Sequence, residues 1–120
     1  MFIRMVAIII GIAFVFGGVA GFLPTFITDG LLFGYFEVNN MHNLVHIVTG
    51  VLAIMAATSY RFTILFFQIF GFIYTIMGVW GFFQNGDLYV MHVNTADNVL
   101  HVVVGVIGLY LGLAAKRTTA

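Results

Sequence analysis

Two histidines one helical turn apart, His42 and His46, recur downstream as an aspartate and a histidine at the same spacing, Asp97 and His101. On an α-helix, residues i and i+4 share a face, so each pair can aim two side chains at one point. Three imidazoles and a carboxylate form a four-ligand set for zinc or another transition metal such as iron or copper. Asn43 and Asn98, next in sequence to His42 and Asp97, are candidate hydrogen-bonding partners that orient such ligands. Other chemistries draw on the same residues. His46 and His101 are candidate axial ligands for a haem or for chlorophylls, with Gly50 and Gly105 making room for the ring. Together with Asp97 they also suit a proton or ion relay. The plainest role is a structural plug, in which Asn43, Asn98, His46 and His101 pair across a helix interface and His42 meets Asp97. Such pairs contribute about 0.6–2 kcal/mol each inside a membrane and fix helix register. The plug is our first expectation; metal or tetrapyrrole binding is the alternative.

These residues sit in a repeated segment. From Val38 to Val51, seven of fourteen positions are identical to their partners in Val93 to Val106, at an offset of 55 residues. Asn39/Asn94, Asn43/Asn98, His46/His101 and Gly50/Gly105 are among the identities. A second correspondence lies 60 residues apart: Gly11, Gly18 and Gly21 match Gly71, Gly78 and Gly81. The chain therefore reads as a duplicated unit, with repeat one at about residues 1–60 and repeat two at about 61–120.

The elements that must position the site follow from hydropathy. The chain has 120 residues, enough for one domain, of which 62% are hydrophobic and only 7% charged. Its mean hydropathy is +1.15. So few charges cannot cover the surface of a soluble domain. Four apolar stretches approach bilayer length: Phe2 to Leu23, Met41 to Thr58, Phe62 to Phe83 and Ala96 to Ala115. Helix is the state that leaves no backbone group unpaired in lipid. Asn39 and Asn94 are placed as N-caps of the second and fourth spans. The expected fold is an all-α integral membrane four-helix bundle, a single transmembrane domain of two parallel two-helix repeats related by an axis along the membrane normal. Spans two and four should face each other about that axis, with Gly50 and Gly105 beneath the histidines. The first span resembles a signal peptide in its Arg4 and apolar run, but its glycines match those of span three, which argues that it stays in the bundle.

Charge orients the spans. Arg4, Arg61, Lys116 and Arg117 fall on one side; Asp29, Glu37 and Asp87 fall on the other. Lys and Arg mark the cytoplasmic face, which puts both termini inside. Tyr35, Tyr60, Trp80, Tyr89 and Tyr110 lie near span ends, where aromatic belts form. The acidic outer face would draw cations toward the histidines. A net charge of zero and the lack of basic clusters argue against nucleic acid. There is no cysteine, hence no disulfide or thiolate chemistry. No nucleophile motif, P-loop or dinucleotide fingerprint is present, and four helices leave little room for a substrate cleft, so the reading leans against catalysis. His92 reads as a solvated loop residue, and Gln68 and Tyr74 as helix contacts.

The paired motifs resemble a bacterial membrane family catalogued as domain of unknown function 4383. The resemblance rests on Asn39, His42, Asn43, His46 and Gly50, on Asn94, Asp97, Asn98, His101 and Gly105, and on the lead-in Gly34-Tyr35-Phe36-Glu37-Val38. It implies a four-span protein of a bacterial cytoplasmic (inner) membrane or an internal membrane, and brings no established activity. The expected partners are the lipid bilayer and either a second copy or a larger membrane complex.

The charge asymmetry predicts topology. A reporter active only outside the cytoplasm should be silent when fused after Ala120 and active when inserted between Gly86 and Asp87. The reverse pattern would overturn the orientation.

Overall fold

The computed structural model describes residues 2–89 and 91–115. Two of the four cations used for orientation, Lys116 and Arg117, lie outside the described residues. The fold is mostly helical, with α1 (Phe2–Ala20), α2 (Asn40–Ala56), α3 (Tyr60–Phe83) and α4 (Thr95–Ala114). Three of them, α1, α3 and α4, are long and apolar enough to cross a membrane. α2 is shorter, at 17 residues, because its last turn is closed by side chains. The Thr58 hydroxyl donates to the Met55 carbonyl at 2.7 Å, and the Arg4 Nε donates to the Ala57 carbonyl at 2.7 Å. Ser59 then caps α3 by accepting from the Phe62 amide at 3.4 Å. Arg4 is thereby fixed beside the α2–α3 turn, on the same end as Arg61.

The two asparagine caps form as the sequence suggests. Asn39 accepts from the His42 amide at 2.9 Å and Asn94 from the Asp97 amide at 3.0 Å. At α4 the Asp97 carboxylate reaches back to the Asn94 amide, completing a capping box. The first outer connection departs from an all-α chain. A 3-10 turn (Pro24–Phe26) leads into a short hairpin in which β1 (Ile27–Thr28) pairs antiparallel with β2 (Leu31–Leu32). The linking Asp29 and Gly30 have φ of 52° and 78°. Two consecutive left-handed residues are what a tight hairpin turn demands, and Asp-Gly supplies them most cheaply.

Glycine decides which helices touch. A Cβ on Gly11 would stand 2.8 Å from the Gly50 carbonyl oxygen, and one on Gly71 would stand 2.7 Å from that of Gly105. Both are closer than a real Cβ tolerates. The backbones therefore meet most closely within the pairs α1–α2 and α3–α4. His46 and His101 approach each other as expected, but the expectation that Gly50 and Gly105 lie beneath them on the face where α2 meets α4 is corrected. Each of those glycines is covered by the helix preceding its own, and α2 meets α4 through side chains. The polar stripe on each helix is really two adjacent lines. On α2, Asn43, Ile47, Gly50 and Ile54 turn to α1, while His42, His46 and Thr49 lie on the adjacent line that reaches α3 and α4, with His46 also touching Phe14 of α1.

Between the helix pairs, the core is built of rings. Phe14, Phe67, Phe70 and Tyr74 pack with Ile3, Ala7, Ala57 and Ile64. The outward faces carry Ile9, Ile12 and Phe16 on α1, Phe72 and Ile76 on α3, and Val106, Ile107 and Tyr110 on α4, all exposed. Apolar exposure on every side is what lipid covers and water does not.

The seam gives a paired prediction. Gly50→Leu should lower stability by about 1–3 kcal/mol through overpacking. Gly17→Leu, where a Cβ meets nothing within 4 Å, should be near neutral. Thermal unfolding in detergent followed by circular dichroism measures both, and equal effects would refute the seam.

Candidate metal centre

The N-terminal ends of α2 and α4 bring three imidazoles together. His42 is in the first turn of α2, where the Asn39 cap fixes its backbone, and His46 follows one turn deeper. The His42 and His46 rings stand 4.3 Å apart, the His42 and His101 rings 5.5 Å, and the His46 and His101 rings 5.7 Å. His46 Nε2 and His101 Nε2 are 3.4 Å apart. One ring nitrogen from each of the three residues lies within 4.8 Å of the other two. His42 and His101 are buried and His46 half-buried.

Rings from α1 and α3 hold this cluster in place. Phe14 meets His46 edge to face at 5.1 Å, and Tyr74 meets His101 edge to face at 5.2 Å. Phe14 and Tyr74 occupy matching positions 60 residues apart. Sequence reasoning did not connect them with the histidines. The signal was there: each lies three residues after one seam glycine and four before the next, on the face that turns inward.

Of the four expected ligands, the structure gathers His42, His46 and His101 and leaves Asp97 out of the group. Asp97 Oδ2 accepts from the Asn94 amide at 2.9 Å and from the Glu37 amide at 3.1 Å. One carboxylate oxygen, Oδ2, caps α4 and ties the α1–α2 loop to it, while Oδ1 has no partner. Asn43 and Asn98 do not reach the imidazoles. Each side chain lies against a glycine of the preceding helix, Gly21 for Asn43 and Gly81 for Asn98. The room that the sequence placed beside the two glycines for a tetrapyrrole ring is taken by Gly11 and Val15 at Gly50 and by Thr75 at Gly105. His92 is exposed, and its backbone carbonyl, not its ring, has the structural part described next.

The asparagine caps do a second job. Asn39 Nδ2 donates to the His92 carbonyl at 2.9 Å, and Asn94 Nδ2 donates to the Tyr35 carbonyl at 2.8 Å. Each cap uses its oxygen for its own helix and its nitrogen for the loop that leads into the other. The two helix starts are cross-linked reciprocally above the histidines.

Polar atoms near the cluster are left without partners. Buried and unpaired are both ring nitrogens of His42, Nδ1 of His101, Oδ1 of Asp97, Oδ1 of Asn98 and Oγ1 of Thr75. The Glu37 backbone lies near the His42 ring, short of a full hydrogen bond. Unpaired buried polar groups cost free energy, about 1–3 kcal/mol each in proteins.

The family described as domain of unknown function 4383 matches residues 4–114. The chain belongs to that family. The match takes in all four helices and every residue of the cluster. No curated protein and no solved structure matches the chain.

The cross-link predicts graded losses. Asn94→Ala should cost about 1–3 kcal/mol, since it removes both a cap and a hydrogen bond between loops. Asn94→Ser should cost less, because a serine still caps but cannot reach Tyr35. Equal losses in thermal unfolding would show that the bond to Tyr35 contributes nothing.

Proposed function

We propose that this is an integral membrane protein that binds one divalent transition-metal ion of the zinc class through His42, His46 and His101. The observation that carries the reading is the convergence of three imidazoles, with buried ring nitrogens of His42 and His101 left unpaired. Zinc–nitrogen bonds of about 2.0–2.1 Å in a tetrahedron put two ligand nitrogens about 3.4 Å apart. The His46–His101 separation of 3.4 Å has that value. Small rotations within a group already inside 4.8 Å bring the third nitrogen to the same ion. A ligating imidazole generally donates its other N–H to a backbone carbonyl or a carboxylate, and the Glu37 backbone lies beside His42 for that purpose. Imidazole also suits copper, iron and nickel, so the metal content of the protein names the ion.

The structural plug, our first expectation, is weakened on physical grounds. A plug satisfies its members mutually; His46 and His101 do pair through their Nε2 atoms at 3.4 Å, yet the His42 ring has no hydrogen bond and the asparagines turn to other helices. A plug that leaves polar atoms unpaired costs more than an apolar filling.

In this reading all four helices span the bilayer as two parallel hairpins, α1–α2 and α3–α4, related by an axis along the membrane normal. α2, at 17 residues, covers about 26 Å at 1.5 Å per residue and sits in a slightly thinned bilayer. Arg4 and Arg61 lie at the cytoplasmic end, and Asp29, Glu37 and Asp87 at the outer end, where they attract cations. Among the described residues no nucleophile stands beside the cluster, so we assign the ion a structural or accessory role, in an oligomer or a larger membrane assembly.

Elemental analysis of the detergent-purified protein should give one zinc-class ion per chain. Zinc at a hundred times its Kd should stabilise the wild type by about 2.7 kcal/mol. His42→Ala, His46→Ala and His101→Ala should each abolish that gain, whereas Asp97→Asn should keep it. A wild type indifferent to zinc, with a His46→Leu/His101→Leu double variant at least as stable, would return the plug.

A further inference from the structure

We infer that the groove between α2 and α3 binds a lipophilic quinone, with its head at Thr49 and Tyr74 and its tail along the apolar walls. The proposal rests on the membrane placement proposed above and is independent of the metal. The groove encloses about 700 Å³ and runs from Met91 at the outer end to Thr58 at the inner end. That volume is in the range of small-molecule sites. It exists because α2 and α3 share no glycine seam: they are joined at the Ser59 turn and pack sparsely along their length.

Midway along a largely apolar trough lies one polar pair; the other lining hydroxyl, Thr58 at the inner end, is spent on the Met55 carbonyl. Thr49 Oγ1 and Tyr74 Oη are hydrogen-bonded at 2.8 Å, and both residues line the groove. Two hydroxyls carry two protons, and their mutual bond uses one. The other proton is a free donor held in apolar surroundings. The positions matching Thr49 and Tyr74 in the other half of the chain are Val104 and Phe14. The donor is therefore peculiar to the groove side, while the ring packing on the histidine is common to both sides.

Depth selects the ligand. Thr49 is nine residues into α2, roughly 14 Å below its start at 1.5 Å per residue. A phospholipid cannot bring an ester carbonyl there without pulling its charged head into hydrocarbon, which is costly. A quinone is uncharged, resides in the hydrocarbon region, and presents a carbonyl that accepts one hydrogen bond. Its isoprenoid tail suits walls of Leu52, Leu65, Ile69 and Ile73.

The test uses the full chain in phosphatidylcholine nanodiscs, titrated with decylubiquinone and, separately, with oleate. Saturable binding of one decylubiquinone per chain is expected, with oleate competing poorly. Tyr74→Phe and Thr49→Val should each weaken binding about five- to tenfold, the loss of one hydrogen bond. Ile73→Trp should fill the groove and abolish binding, and its unchanged thermal unfolding would show that it is folded. His46→Ala should bind the quinone normally, so a protein that binds quinone but no zinc defeats the metal reading alone. Resistance to alkaline extraction from membranes tests the membrane placement separately. No saturable binding, or equal binding by the Thr49→Val/Tyr74→Phe double variant with full displacement by oleate, would overturn the proposal.

Discussion

Close backbone approach within two helix pairs is the constraint on which the rest of the structure depends. In a chain this apolar, burying hydrophobic surface does little to choose between helix partners, because lipid is as apolar as leucine. Shape chooses instead. Gly11 against Gly50, and Gly71 against Gly105, let backbone touch backbone where a single methyl would collide. With the small residues used up inside the pairs, the space between pairs has to be filled by larger groups. Phe14, Phe70, Tyr74 and the three histidines fill it with rings, and the α2–α3 groove is where the filling stops.

The second constraint is that polar groups at this depth have no water to fall back on. The molecule meets it well at the helix starts and poorly one turn below. At the starts, Asn39 and Asn94 use both ends of their amides, and Asp97 takes two backbone donors on one oxygen. His101, one turn deeper, keeps one ring nitrogen unpaired, and His42, in the first turn of α2, keeps both. The same chain that satisfies its caps so fully leaves these atoms bare, which is the contrast that the proposed ion would resolve. The aromatic edges of Phe14 and Tyr74 hold the two deeper rings without engaging their nitrogens, which are left to face each other at 3.4 Å.

Much of this was legible in the residues. Apolar runs gave the four helices within a few residues at each end, since helix formation in an apolar chain is a local matter of length, capping and periodicity. Asn39 and Asn94 read as caps because an asparagine before a helical run offers an oxygen to the next turn's amides. The paired motifs pointed to the family that matches residues 4–114. The Asp29-Gly30 hairpin went unnoticed because two-residue strands are too short to carry an alternation.

What the sequence by itself determined is the set of helices, their caps and the residues available for chemistry, all of which follow from neighbours within one or two turns. Which of those residues meet was decided only in three dimensions. A stripe about one hundred degrees wide can face two different helices, and periodicity does not say which line faces which. Glycine contacts drew Asn43 and Gly50 to α1 and left His42 and His46 facing across. The Glu37 amide, sixty residues away in the chain, claimed the Asp97 carboxylate and reduced four candidate ligands to three. Thr49 and Tyr74, unremarkable on separate helices, became one hydrogen-bonded pair because α2 and α3 splay just enough to let only their side chains touch.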